Sequence, residues 1–133
     1  MTLPLVREGL KSALEAIEGL RAFDTMPQSI PETPAAYVIP EEINFHVTMA
    51  PNAKYAFDVT VIVSLKPSFS EAQNLLDEFI SPTGDRSIMA AIEADPTLGG
   101  ECDAAWVNSC IDYGFVTYSD VKFLGCRFKV KVY

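Results

Sequence analysis

Histidine occurs once in this chain, at His46, and no two cysteines stand at C-x-x-C spacing. These shortages exclude the common zinc constellations, and the odd set Cys102, Cys110 and Cys126 gives no disulfide framework. Reduced thiols are expected. Bases are scarce too: ten Lys and Arg against eighteen Asp and Glu leave a net charge of -8. Phosphate binding is driven by clustered cations that displace counterions, so free association with nucleic acid is disfavoured. No apolar run approaches the roughly 20 residues that span a bilayer. The opening MTLPLVREGL carries an acid and a proline where a leader would carry a basic and then an apolar region. A soluble chain in a cytoplasm, without membrane contact, is the expectation.

What is present is a chain of 133 residues, 49% hydrophobic, which suits one domain (1–133) with a real core. Leu3, Val6, Leu10, Leu14 and Ile17 recur at helical steps, predicting a helix over Leu3 to Glu18 with Gly19 as its stop. A short strand follows around LRAFD. Pro27, Pro31, Pro34 and Pro40 then punctuate an extended connector, predicted to lie across the sheet and to hold a short strand near Ala35 to Ile39. Ile43 to Met49 and Tyr55 to Leu65 read as strands joined through APNAK. The second strand alternates cleanly, with Phe57, Val59, Val61, Val63 and Leu65 on one face and Asp58, Thr60 and Ser64 on the other, Ile62 excepted.

SEAQNLLDEFI predicts a second helix with Ser70 and Gln73 as a capping box, and Asp85 is expected to cap a short third one. Cys102 to Tyr133 predicts two long strands turning at YSD, with Gly114 and Gly125 at bulges or close approaches and Cys126 on the core face. The fold class is α+β: a mixed or antiparallel sheet with an N-terminal helix and two central helices packed on one face.

Candidate chemistry is sparse. A phosphate cradle places its glycines after a strand and before a helix. In EADPTLGGECDAAWV a helix ends, Pro96 blocks its continuation, and Gly99-Gly100 precedes a strand, so the loop reads as a turn whose glycines supply positive φ. His46 has no partner histidine or acid at ligand spacing and reads as a surface or interface residue. Glu41-Glu42 and Asp77-Glu78 are sequence neighbours whose side chains diverge, and solvated charge is their reading. No catalytic, cofactor-binding or metal-binding residue is nominated, and no cofactor is expected.

Adhesive surface is better represented. Tyr55, Trp106, Tyr113, Phe115, Tyr118, Phe123 and Tyr133 supply more aromatic bulk than a small core readily hides, although core packing is the first expectation for any one of them. The last twelve positions hold Lys122, Arg127, Lys129 and Lys131, a basic strand on an acidic body. Such a strand is either a solvated face or a surface for an acidic partner, another copy included.

The run SPTGDRSIMAAIEADPTLGG, together with GLRAFD, PQSIPETPAAYVIP, FDVTVIVSL and the closing VKFLGCRFKVKVY, resembles the tail terminator proteins of long-tailed bacteriophages that infect actinobacteria. The resemblance spans nearly the whole chain and implies a non-enzymatic virion subunit. Such a subunit forms a homo-hexameric ring at the head-proximal end of the tail tube, ends tube polymerisation and joins the tail to the head-completion or connector protein. DNA would pass through the lumen without specific binding, and assembly would occur in the host cytoplasm. Within that reading the tip Met49 to Lys54 (Met49, Asn52, Lys54) and the SPTGD loop (Pro82, Asp85) are expected contact elements. Arg127, Lys129 and Lys131 are expected to pair with acids of a neighbouring subunit. The alternatives are another head-tail connector or neck subunit, or a small-molecule-binding α+β domain.

Overall fold

The computed structural model describes residues 2–45 and 53–133, so His46, Met49 and Asn52 lie outside the described residues. Along the chain run α1 (Leu3–Glu15), β1 (Arg21–Phe23), β2 (Ala35–Phe45), β3 (Ala53–Val63), α2 (Phe69–Ile80), α3 (Ile88–Glu93), β4 (Ala105–Tyr118) and β5 (Val121–Val132). The strands form one sheet in the order β1-β2-β3-β5-β4, antiparallel except for the β1–β2 pair. This is the expected α+β fold with a mixed sheet.

One face of the sheet carries the core. Phe57, Val59, Val61 and Val63 of β3 and Cys126, Phe128, Val130 and Val132 of β5 meet Val6, Leu10 and Leu14 of α1, Leu76 and Phe79 of α2, and Ile88 and Ile92 of α3. Each element turns the apolar positions of its own period toward the same place, twofold in strands and 3.6-fold in helices. The helix α1 is shorter than its apolar pattern suggested. It closes at Glu15, while Ile17 remains buried in the turn that leads to Gly19 at φ +85°.

Both helix starts differ from the sequence reading. The N-cap is Ser68, not Ser70 in a box with Gln73: the Ser68 hydroxyl accepts the Glu71 N–H at 3.2 Å. The cap must have extended backbone, and Ser68 is the first hydroxyl residue past Pro67 to have it. Likewise Ser87, not Asp85, caps α3, its hydroxyl accepting the Ala90 N–H at 3.0 Å. Asp85 stays exposed in the preceding turn.

The two strands expected around Pro40 are one. β2 runs through the proline, which sits at a register shift between Pro40 and Glu42, where a missing N–H costs the ladder least. On the β4–β5 side, Ser119 and Asp120 both have positive φ and close the hairpin tightly at YSD. The predicted close approach at Gly125 is real: a Cβ there would stand 2.6 Å from the Val61 carbonyl oxygen. Gly114, its cross-strand partner, flanks a second register shift.

The reverse face is divided in two. Toward the YSD turn, Ala35, Ile62 and Phe123 form a small apolar cluster with Phe23, Ile30, Val116 and Tyr118 around it. The proline-rich segment lies over this region, and Tyr118 Oη donates to the Pro27 carbonyl while Ser119 Oγ donates to that of Gln28. The apolar exception in β3, Ile62, is therefore covered. Toward the other end of the strands the same face is polar.

Candidate interaction interface

On that polar half, Asp58 of β3 is almost completely buried although its neighbours are charged. Its Oδ2 accepts from Arg127 at 3.2 Å and its Oδ1 lies 2.9 Å from Lys129 Nζ. Arg127 also pairs with Asp112, and Lys129 with Glu41. The cross-strand register produces this arrangement: Asp58 stands opposite Lys129, and Thr60 opposite Arg127. The hydrogen bond to Lys129 holds Glu41 below the usual carboxylate range, and the bond to Glu41, with that to Asp58, holds Lys129 above the usual ammonium range. Asp112 does the same for Arg127.

Arg127 and Lys129 thus find their acids inside the chain, so partners from a neighbouring subunit are not required to account for them. Lys131 differs. It faces the same way, opposite Trp106 of β4, and has no ion pair among the described residues. Lys54 reaches the same spot, its Nζ 5.9 Å from the Trp106 ring centroid. Pro82 and Asp85 are exposed in the turn between α2 and α3, far along the chain from this cluster.

The strand β4 is the sheet's outer strand, and it presents aromatic surface on both sides. Trp106 is 36% exposed and faces the polar half, whereas Tyr113 (42%) and Phe115 (59%) lie on the helix side. Phe115 packs edge-on against Phe69, ring centroids 6.0 Å apart, and Lys122 Nζ sits 4.2 Å from its ring centroid. Tyr113 Oη donates to Asp77 at 2.9 Å; partial burial and that carboxylate push the phenol up to about 12. Of the aromatics singled out from sequence, Tyr55 and Phe123 belong to the buried clusters and Tyr118 is held beneath the proline-rich segment. The excess lies on β4.

The glycine turn is structural. Leu98 is buried beneath α1 at φ +51°, and Gly99 and Gly100 follow at φ +72° and +92°. A Cβ on Gly9 would stand 2.8 Å from Leu98 Cβ, so the helix narrows where the turn enters it. The shallow depression beside this contact is lined by Glu8, Asp95 and Glu101 and has no cationic side chain for a phosphate. Cys110 lies close to Cys126 on the core face; contact between the thiols and burial hold the Cys126 thiol far above its ordinary range. The same contact draws the Cys110 thiol below its ordinary value, against the effect of its burial.

Among the described residues, no helix is long and apolar enough to cross a membrane. No group of three or more His, Cys, Asp or Glu side chains there is placed to hold a metal ion. No protein-family model matches the chain, and comparison with curated proteins gives no match.

Proposed function

We propose that this chain is a structural subunit of a bacteriophage tail, a terminator that forms a ring at the head-proximal end of the tube. There it ends polymerisation of the tube protein and joins the tail to the head-completion complex. The observation that carries the reading is β4: fourteen residues of outer strand with Trp106, Tyr113 and Phe115 exposed along it. Exposed aromatics beside a strand with free backbone groups are the ordinary anchors of protein–protein contact. The sequence resemblance supplies the identity of the assembly, and the acidic net charge suits a body past which DNA must slide without sticking.

The test is electron microscopy of tails assembled with this gene disabled. Overlong or irregular tubes unattached to heads are the expected result. Tails of normal length joined to full heads would sink the terminator reading.

A further inference from the structure

The sheet ends in two strands that run in opposite directions. β2 and β5 point one way, β3 and β4 the other, so β4 of one copy laid beside β2 of another copy in the same orientation makes an antiparallel pair. The outer side of β2 is open for this. β1 pairs only with Ala35 to Tyr37, and no strand lies beyond residues 38–45 among the described residues.

The two open edges are also matched in level and charge. Glu42, Ala56, Lys131 and Trp106 form one row across the sheet, each opposite the next. At one end of the row stands Glu42, exposed and without an ion pair among the described residues. At the other stand Trp106, Lys131 and the Lys54 ammonium over the indole. The backbone N–H of Val107, next along β4, donates to the Glu93 carboxylate of α3 at 3.5 Å. That long bond is one an incoming strand carbonyl would replace.

We propose that copies of this chain associate head to tail, β4 of one pairing antiparallel with the free half of β2 of the next, so that Glu42 meets the Lys131 and Lys54 cations beside Trp106. A contact between two different patches repeats through every copy and closes into a ring where the rotation permits. The inference deepens the ring reading and rests on it for the expectation of closure. Acid at one end of the row and cations at the other select this order over pairing of two β4 strands, which would bring the Lys131 and Lys54 pairs of both copies together.

Cross-linking of paired cysteine variants tests it. In a Cys110→Ala background that keeps Glu42, concentrated Ile39→Cys protein is mixed with Ser109→Cys protein and treated with a flexible bis-maleimide; Ile39 and Ser109 both lie on the polar face. Residues 39 and 109 would stand opposite each other, about 5 Å apart, each three residues along its strand from the Glu42–Trp106 pair. The expected result is a cross-linked dimer in the mixture, at least several-fold above either variant alone and above a mixture of Ser109→Cys with Glu15→Cys, whose exposed position lies on α1. Adding Glu42→Lys to the Ser109→Cys chain leaves that dimer unchanged, because that chain contributes its β4 edge; adding Lys131→Glu to it reduces the dimer several-fold. Dimer from Ser109→Cys alone would overturn the proposal in favour of β4–β4 pairing, and so would equal yields in all mixtures. Absence of dimer together with overlong tails in the gene-disabled phage would discard this contact while leaving the terminator reading intact.

Discussion

The two edges of the sheet are built on opposite principles. On the β1–β2 side the outermost strand is three residues long, and the strand behind it carries Pro40, a register shift and the acids Glu41 and Glu42. Short strands, prolines, bulges and charge are the devices by which a sheet discourages chance pairing. On the β4 side there are register shifts too, after Val107 and after Ile111, but fourteen residues run without a proline, with Asp112 their only charge and three large aromatics showing. An edge left this bare for this length is an aggregation hazard unless something occupies it. The difference teaches that the molecule's sociability is local: one edge is guarded, with a single acid offered, and the other is made for contact.

The strongest way to break the comparison is to remove what both edges share. Phe128 is buried at the centre of β5, and Phe128→Ala is expected to cost about 3–5 kcal/mol, visible as a lower urea midpoint at unchanged slope. A smaller change separates the edges. Asp58→Ala leaves Arg127 and Lys129 without their shared acid and loosens β3 from β5. An expected loss of about 1–2 kcal/mol reflects charge-assisted bonds discounted for the exposure of Arg127. Faster amide exchange should appear in β3 and β5 before β1, and equal acceleration in all strands would argue against a local role.

On the bare edge, Tyr113→Phe removes the bond to Asp77 and should cost no more than about 1 kcal/mol, given the partial exposure of the pair. The sign of the pH dependence follows from the raised phenol. Its contribution is complete below the unfolded value near 10 and fades as pH rises through about 12, so the gap between wild type and Tyr113→Phe should close at that alkaline end. Comparable in size is Phe115→Gln, which gives up the ring contacts with Phe69 and Lys122 without adding a cation beside Lys122, expected within about 1 kcal/mol of wild type in thermal unfolding. If the edge is a contact surface, the same substitution should still lower the yield of assembled particles; undiminished assembly would remove Phe115 from the interface.

Much of this fold is legible in the sequence because its period-two strands and amphipathic helices carry one apolar face each. The alternation of Phe57, Val59, Val61 and Val63 and that of Cys126, Phe128, Val130 and Val132 both name the core face correctly. Caps are less legible: SFSE and DRSI each offer two candidate cap residues, and only backbone conformation decides between them. The ion cluster around Asp58 is hidden for another reason. Glu41, Asp58, Asp112, Arg127 and Lys129 come from four strands, and strand order is not written in any local pattern. The same holds for the edge position of β4, which depends on β5 returning between β3 and β4. Ile62 was the one local hint that the reverse face is partly covered.

The contact between Gly9 and Leu98 has a consequence beyond packing. Helix and turn meet there with no room for a single further methyl group. The Leu98 carbonyl oxygen would stand 2.9 Å from that methyl as well, so shrinking the side chain at the turn does not make room for it. The helix position is thus tied to the path of the turn's backbone, and any larger residue there obliges the two segments to separate.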